Sequence, residues 1–387
     1  MARALYIHWP FCARKCPYCD FNSHVRETVE HDVWQAALIA DMRHEAAKGA
    51  NEALDSVFFG GGTPSLMPPA LVAVLLAEAE RLWGFAPGIE ITLEANPSSV
   101  EAGRFAGLAA AGVNRVSLGL QSLDDAALRF LGRLHDAREG LAALKTAQTV
   151  FSRVNADLIY ALPGQSEADW RAELGRALDL GTDHLSLYQL TIEPGTRFAT
   201  DVRQGAFAPL ADDPAADLFA LTREMTAVAG LPAYEVSNHA RPGQQSRHNL
   251  TYWRYQDYIG VGPGAHGRRG GVATVRHKKP ENWLGAVAAQ GHGIAEARPL
   301  GIREQASEAL LMGLRLAEGI DLAALSLRFG IPRGELVDRQ RVEFHRSLGL
   351  VSLEADRIVV TGAGMPLLDA LLGELVPDAL LGAPVAA

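Results

Sequence analysis

The stretch RALYIHWPFCARKCPYCDF, residues 3–21, carries a short apolar run that leads directly into a group of cysteines. Cys12, Cys16 and Cys19 follow the spacing CxxxCxxC, and they are all 3 of the cysteines among 387 residues. Closely spaced thiols are more typical of a metal or redox site than of structural disulfides when a protein works in a reducing compartment. The loop raises the question of which metal group binds three thiolates, because most metal sites take four ligands.

Five further apolar runs follow the first along the chain, each rich in β-branched and aromatic residues. The six runs are RALYIHW, SVFFGGG, IEITLEAN, RVSLGLQS, RVNADLIYAL and HLSLYQLTI. Segments with helical spacing of apolar residues separate them. Six strand–helix alternations predict an α/β fold with a parallel sheet, a partial (β/α)6 barrel of the TIM type, since a complete barrel has eight.

Polar residues and glycines collect at the ends of the predicted strands. The second run leads into GGGTPS, the third ends in EANP, the fourth in QS, and the fifth contains Asp157. In parallel βα architectures the carboxyl ends of the strands meet at one edge, where ligands bind. The sequence therefore predicts a ligand site at this edge, although ordinary βα turns would have a similar composition.

The pattern changes after about residue 235, and we predict four parts. They are a barrel core over 1–235, a connecting segment over 236–299, a C-terminal domain over 300–375 and a tail over 376–387. The C-terminal domain is mostly helical and contains the predicted strand pair VSLEADRIVV, which gives it a winged-helix-like pattern.

The composition excludes some classes of function. The net charge is −9, from 36 basic and 45 acidic residues. We expect no nucleic-acid partner, because binding to a phosphate backbone needs a basic face. The start, MARALYIHWPFC, has no apolar region typical of a signal peptide, and no stretch reaches the roughly 18 apolar residues of a membrane span. We therefore expect a cytoplasmic location.

Two metal groups remain open for the cysteine loop when only its residues are considered. A structural zinc site would need a fourth ligand, which His8 or His24 could supply from either side of the loop. An iron–sulfur cluster normally takes four cysteines, so a [4Fe–4S] cluster held by three keeps one iron open to another ligand. An amino acid with free amino and carboxylate groups could chelate that iron, and S-adenosylmethionine (SAM) offers both.

The loop resembles the signature of the radical SAM superfamily, CxxxCxΦC, in which Φ is an aromatic residue and is here Tyr18. The resemblance implies a radical SAM barrel with a [4Fe–4S] cluster on Cys12, Cys16 and Cys19, and SAM on the open iron. It also implies an electron donor such as a flavodoxin or ferredoxin. The implied SAM-binding residues are Tyr6, Tyr18, Gly61, Gly62, Thr63, Glu94, Gln121, Arg133 and Asp157.

Within that superfamily, the chain is similar to the oxygen-independent coproporphyrinogen III oxidase group. The similar segments are YIHWPFCARKCPYCDFNSH, FFGGGTPS, LEANP, SLGLQS, GRLHD, DLIYALPGQ and EPGT. The group contains the oxidases and a branch of HemW-type heme chaperones. The oxidases carry a further cysteine where this chain has Phe21, and a long N-terminal extension, whereas Cys12 lies near the start here. Both differences favour the chaperone branch.

The segment HNLTYW, residues 248–253, resembles the HNxxYW motif of the heme-chaperone branch. The resemblance implies heme binding by His248, Asn249, Tyr252 and Trp253, since a neutral imidazole ligates heme iron and aromatic rings offer flat apolar surface. The alternative is a turn in which Asn249 is a cap, the aromatic residues pack in the core and His248 is a surface residue. His266 in VGPGAH is a second candidate ligand.

The resemblance implies a heme chaperone that binds heme and a SAM-ligated [4Fe–4S] cluster and transfers heme to acceptor proteins. The alternative function is oxidative decarboxylation of the propionates of coproporphyrinogen III. A membrane-associated acceptor and a homodimer are compatible with the chaperone hypothesis.

Overall fold

The computed structural model describes residues 3–49, 52–377 and 379–380. Its strands are β1 (Ala4–Trp9), β2 (Phe11–Cys12), β3 (His24–Val25), β4 (Leu54–Gly61), β5 (Phe85–Ala95), β6 (Arg115–Gln121), β7 (Arg153–Tyr160), β8 (His184–Gln189), β9 (Asn238–Ala240), β10 (Tyr258–Val261), β11 (His266–Arg269), β12 (Val272–Arg276), β13 (Ile294–Pro299), β14 (Ile320–Asp321), β15 (Val351–Glu354) and β16 (Arg357–Val360).

The α-helices lie between these strands and after them. They are α1 (His31–Ala47), α2 (Pro69–Trp83), α3 (Ser99–Ala102), α4 (Phe105–Ala110), α5 (Asp125–Phe130), α6 (Ala137–Val150), α7 (Glu167–Leu178), α8 (Arg197–Arg203), α9 (Asp212–Val228), α10 (Arg247–Trp253), α11 (Pro280–Gln290), α12 (Ile302–Gly313), α13 (Leu322–Phe329), α14 (Arg333–Leu336), α15 (Arg339–Ser347) and α16 (Leu368–Leu375). Two short 3₁₀ helices cover Pro64–Leu66 and Met365–Leu367.

The six predicted strands form one continuous parallel sheet in the order β1-β4-β5-β6-β7-β8. At least one helix connects each of these strands to the next. The predicted partial (β/α)6 barrel is therefore confirmed. The cysteine loop leaves β1 at its carboxyl end, and the short strands β2 and β3 pair with each other at the two sides of the loop.

The two faces of the barrel strands differ in chemistry. In β7, Val154 and Leu158 belong to a large hydrophobic cluster that also includes side chains of α1 and α2. Asn155 and Asp157 alternate with them, and the Asn155 amide donates a hydrogen bond of 2.8 Å to Ser186 Oγ on β8. Successive side chains of a strand point to opposite faces. The apolar face therefore holds the helices, and the polar face lines the interior of the barrel.

The sheet extends beyond the predicted barrel at both edges. β9 pairs antiparallel with β8, and β10 pairs parallel with β1. β11, β12 and β13 follow β10 as antiparallel neighbours. The sequence analysis predicted only a connecting segment over 236–299, because these strands are short and interrupted by glycines. The predicted boundaries between the parts of the chain stay predictions.

The C-terminal part has its own hydrophobic cluster. Leu310, Leu325, Val342 and Leu372 bring α12, α13, α15 and α16 together in it. The predicted strand pair forms as β15 and β16, and β14 adds a third antiparallel strand. In the predicted tail, residues 378 and 381–387 lie outside the described residues. None of the helices in the described ranges has the length and apolarity needed to cross a membrane.

Candidate functional site

The three cysteines lie on the loop after β1, at the carboxyl end of the barrel. All three are partly buried and none is in a disulfide. Thr63 Oγ1 donates to Cys12 Sγ over 3.4 Å, and a guanidinium N–H of Arg133 donates to Cys16 Sγ over 3.4 Å. The thiols therefore lie among donors from two later segments, the turn after β4 and the segment after α5.

A mononuclear zinc site does not fit this loop. Zinc needs ligand atoms about 2.1–2.3 Å from one centre, and no three His, Cys, Asp or Glu side chains of the described ranges converge on one ion. The ring nitrogens of His8 lie 3.0 Å from Tyr6 Oη and 2.9 Å from the Asn22 carbonyl oxygen. The His24 Nε2 lies 3.3 Å from Asn22 Oδ1.

Burial affects the protonation of two of the thiols, Cys12 and Cys19. Desolvation raises the pKa of Cys12 and of Cys19, although a hydrogen bond from Thr63 opposes the shift at Cys12. Without metal these groups are therefore neutral at pH 7. Metal ligation requires thiolates, so loading of the loop would release protons.

The glycine turn packs directly against the cysteine-bearing segment. Gly62 N donates to the Trp9 carbonyl over 2.7 Å, and Thr63 N donates to the Phe11 carbonyl over 2.8 Å. A Cβ on Gly62 would lie 2.6 Å from Phe11 O, and Gly61 has φ +113°, which a side chain rarely permits. The turn therefore needs glycine to bring its backbone close to the cysteine loop.

Two carboxyl groups lie on the interior face of the barrel beside this turn. Glu94 accepts a hydrogen bond of 3.1 Å from Gly61 N. Burial, and then the neighbouring charge of Asp157, raise the pKa of Glu94 to about 8. Burial also raises the pKa of Asp157, against hydrogen bonds from Ser186, Asn155 and Ser117. Hydroxyl or cationic groups of a ligand would stabilise the charged carboxylates and lower both pKa values.

Arg133 connects the cysteine loop to the ends of β5 and β6. Its guanidinium donates to Asn96 Oδ1 over 2.5 Å and to the Gly119 carbonyl over 3.0 Å. It also lies 3.4 Å from the hydroxyl of Tyr18. Its Nε is buried and has no hydrogen-bond partner among the described residues. A buried donor without a partner costs free energy. An anionic group of a ligand could accept a hydrogen bond from this atom.

Gln121 is the last residue of β6 and has φ +68°. Its side chain lies against Gly119, where a Cβ would be 2.8 Å from Gln121 Nε2. Tyr6 lies deeper in the barrel, on β1, with its hydroxyl on His8. The predicted SAM residues therefore come from five neighbouring strands, β1, β4, β5, β6 and β7, and from the segments that follow them.

The HNLTYW segment lies elsewhere, at the amino end of the barrel, where it forms most of α10. Ser246 caps this helix by accepting a hydrogen bond from Asn249 N. Glu90 on β5 accepts hydrogen bonds from the backbone N–H groups of Arg247 and His248, both at 3.2 Å. Arg153 also donates to Glu90. The sequence analysis did not predict this network, because Glu90 carries no local signal of its distant partners.

His248 is buried, with 2% of its surface exposed. Its ring stacks on Phe58 at 4.9 Å between centroids. Its Nδ1 lies 3.0 Å from Ser56 Oγ, and its Nε2 lies 2.6 Å from Tyr252 Oη. Burial lowers the pKa of His248 to about 3, so the imidazole is neutral at pH 7.

The alternative interpretation of HNLTYW was wrong in two respects. His248 is not a surface residue, because α10 directs it into the barrel floor against β4. Asn249 is not the cap, since Ser246 accepts the hydrogen bond at the start of the helix. Tyr252 and Trp253 are partly buried, and His266 is exposed on β11.

Comparison with known proteins shows which family this chain belongs to. The profile of the Radical SAM superfamily matches residues 6–176, and that of the HemN C-terminal domain matches 303–367. The mouse radical S-adenosyl methionine domain-containing protein 1, mitochondrial, is 40% identical over 97% of this chain and 87% of its own length. The heme chaperone HemW of Mycobacterium tuberculosis is 38% identical over 96% of this chain and 94% of its own length.

The solved structure of coproporphyrinogen III oxidase (HemN) from Escherichia coli has the same fold. It gives a TM-score of 0.81 at 23% identity and covers 96% of this chain and 89% of that chain. The barrel and its cysteine loop thus define a radical SAM protein. The chain belongs to the radical SAM superfamily, in the HemN-like branch that contains the HemW proteins. Membership in the superfamily implies a [4Fe–4S] cluster and SAM.

Proposed function

We propose that this protein is a heme chaperone, which binds heme and passes it to heme-accepting proteins. The observation that carries the proposal is its similarity to relatives named heme chaperone HemW. They include proteins 38% identical over 96% of this chain and 35% identical over 95% of it. The solved oxidase shares only the fold at its level of identity, so it does not favour the alternative function.

The proposed cluster ligands are Cys12, Cys16 and Cys19. Their support is the CxxxCxxC spacing on one loop at the carboxyl end of the barrel, where all three cysteines are free and partly buried. A cluster held in this way presents one iron that lacks a protein ligand and that SAM can chelate.

The proposed SAM site uses the groups around the cysteine loop. Arg133 Nε is the buried donor that fits a carboxylate, and the glycine turn 60–62 brings backbone close to the cluster. Glu94 is placed to accept hydrogen bonds from ribose hydroxyls, which would favour its charged form. The remaining proposed contacts are Tyr6, Tyr18, Thr63, Gln121 and Asp157.

The proposed heme ligand is His248. Its neutral ring is the form that binds iron, and Ser56 orients it through Nδ1 as a hydrogen-bonded partner of a metal-binding histidine would. When the ring proton is on Nδ1, the lone pair of Nε2 accepts a hydrogen bond from the Tyr252 hydroxyl. Heme binding therefore requires Tyr252 to leave this nitrogen.

Several partners and the location stay predictions from the sequence. These are the electron donor, a membrane-associated acceptor, a homodimer and the cytoplasmic location.

The test is an anaerobic heme titration of the cluster-reconstituted protein beside His248→Ala, followed by optical spectroscopy. The expected result is saturation near one heme per chain in the wild type, with a changed axial-ligand spectrum and weaker binding in the variant. Equal uptake by both, without saturation, would contradict the proposal. An assay of coproporphyrinogen turnover with SAM and a reductant would then examine the alternative function.

A further inference from the structure

A chain of polar groups crosses the interior of the barrel from Asp157, a proposed SAM contact, to the start of α10. Asn155 Nδ2 donates to Asp157 Oδ1 over 2.7 Å, and Asn155 Oδ1 lies 2.6 Å from His184 Nδ1 on the neighbouring strand β8. His184 Nε2 lies 2.9 Å from Tyr234 Oη, which accepts a hydrogen bond of 3.4 Å from Ser246 N. The chain therefore joins the carboxyl end of the barrel to the helix at its amino end.

The links of this chain are shielded from water. Asn155, His184, Tyr234 and Ser246 are all buried. Burial also lowers the pKa of His184 well below its ordinary value, so its ring is neutral at pH 7 and has one N–H and one lone pair. In such surroundings linked hydrogen bonds polarise and strengthen one another.

The direction of each hydrogen bond follows from the carboxylate at the end of the chain. A carboxylate only accepts, so the amide nitrogen of Asn155 faces Asp157 and its oxygen faces His184. His184 Nδ1 therefore carries the ring proton, and Nε2 accepts from the Tyr234 hydroxyl. The Tyr234 oxygen then accepts from Ser246 N. Because every bond donates toward Asp157, a change in the charge of this carboxyl acts in the same sense on all of them.

The two ends of the chain lie in the two proposed cofactor sites. Burial raises the pKa of Asp157, and a ligand that offers a hydroxyl or a cation stabilises its charged form, which is the stronger acceptor. At the other end, Ser246 caps α10 by accepting a hydrogen bond from Asn249 N. A firmer hold on Ser246 fixes the start of α10 and with it His248, which is two residues further along the helix.

We propose that Asn155, His184 and Tyr234 are positioning residues that couple the SAM site to His248, so that bound SAM increases the affinity for heme. Linkage requires the reverse effect as well, so bound heme increases the affinity for SAM by the same factor. This inference rests on the proposed function and adds to it that the two cofactor sites act together.

The first test measures heme affinity with and without saturating SAM in the cluster-reconstituted full chain, under anaerobic conditions and without a reductant, so that SAM is not cleaved. In the wild type, SAM should tighten heme binding about five-fold. Tyr234→Phe keeps the ring but removes the hydroxyl between His184 and Ser246. In this variant the effect of SAM should be lost, while heme alone binds within about two-fold of the wild type.

The matched control is Tyr160→Phe, which removes the hydroxyl of another buried tyrosine. The ring of Tyr160 stacks on Trp170 of α7, at 4.7 Å between centroids, and takes no part in the chain. This variant should keep the five-fold effect of SAM. If Tyr234→Phe weakens heme binding equally with and without SAM, Tyr234 only supports α10, and the coupling through it is overturned.

The second test examines the direction of the chain and does not depend on the folding of Tyr234→Phe. Nitrogen NMR of the cluster-free protein labelled with [15N]histidine should show the proton of His184 on Nδ1, with the signal identified by its absence from His184→Gln. A proton on Nε2 would overturn the chain.

The wild type separates this inference from the function on which it rests. Heme binding that does not respond to SAM would overturn the coupling while the heme function stands. Failure of the wild type to bind heme would contradict the proposed function itself.

Discussion

The carboxyl and amino ends of this barrel hold polar side chains in contrasting ways. At the carboxyl end, the cysteines are partly buried on a loop, Arg133 Nε has no partner in the described chain, and burial raises the pKa of Glu94 to about 8. At the amino end, Glu90 is 2% exposed and accepts hydrogen bonds from Arg153 and from the first turn of α10.

The difference shows what each end requires of a ligand. Unsatisfied groups at the carboxyl end gain partners when a ligand binds, so that end is prepared for cofactors without a large change. The amino end already satisfies His248 with Ser56 and Tyr252. A ligand there must displace a protein contact, which suits a cargo that is bound and then released.

The largest expected effect concerns the carboxyl end. Cys16→Ser should abolish the iron–sulfur cluster, because serine does not replace a thiolate ligand at a site with three cysteines. Iron and sulfide analysis after anaerobic reconstitution measures this loss. The control is Ala13→Ser, at an exposed position of the same loop, which should keep the full iron content. Normal cluster content in Cys16→Ser would refute the ligand assignment.

The next effect concerns the amino end. Glu90→Gln should lower the free energy of unfolding by about 3–5 kcal/mol, because it leaves the guanidinium of Arg153 without its buried counter-charge. Chemical unfolding of the variant, beside the exposed Glu80→Gln, gives the difference. A change within about 0.5 kcal/mol for both variants would show that the network does not hold α10 in place.

The six barrel strands could be predicted because each is a run of β-branched and aromatic residues bounded by turn residues. The segment VEAGRFAGLAAAG, residues 100–112, has helical spacing, and it forms two helices, α3 and α4, on either side of Gly103. Strands β10 to β13 were missed because they are 4 to 6 residues long and contain or adjoin glycines. Their pairing depends on the sheet edge that β1 provides.

The candidate cofactor residues could be found because each of them lies in or beside a segment that resembles a motif of the superfamily. The burial of His248 could not be predicted, because it depends on Phe58 and Ser56, which are about 190 residues away in the chain. Glu90 and Arg153 were missed for the same reason. Such contacts between distant segments leave no periodic signal in the sequence.

A pH titration sharpens the comparison further. The folded protein without cluster and SAM has a pKa for Glu94 of about 8, raised mainly by burial from an ordinary value of 4.5. The protonated group contributes stability that is complete below the unfolded pKa and is lost as pH rises from about 4.5 through 8. Relative to Glu94→Gln, the unfolding free energy should fall by up to about 1.4 kcal/mol per pH unit in that window.

Unfolding of both proteins at a series of pH values measures this slope. Glu80→Gln serves again as the control, because it removes an exposed carboxyl on α2, outside the barrel interior. Parallel pH profiles for the wild type and Glu94→Gln would show that the pKa of Glu94 is not raised in the cofactor-free barrel.

The smallest expected effect concerns the exposed ion pair that follows α10. Arg254 donates two hydrogen bonds of 2.8 Å to Glu318, and the two side chains are 44% and 48% exposed. Arg254→Gln should cost less than about 1 kcal/mol of unfolding free energy, and high salt should reduce the difference. A larger loss that does not depend on salt would mean that this ion pair contributes more than Glu90 to holding α10 in place.

The central claim is that the two ends bind different cofactors, and one paired measurement tests it most directly. Cys16→Ser and His248→Ala are each assayed for iron–sulfur content and for heme bound per chain under anaerobic conditions. The account predicts that Cys16→Ser loses the cluster and still binds one heme, whereas His248→Ala keeps the cluster and loses tight heme binding. Loss of both cofactors in either variant, in a chain that remains folded by circular dichroism, would contradict it.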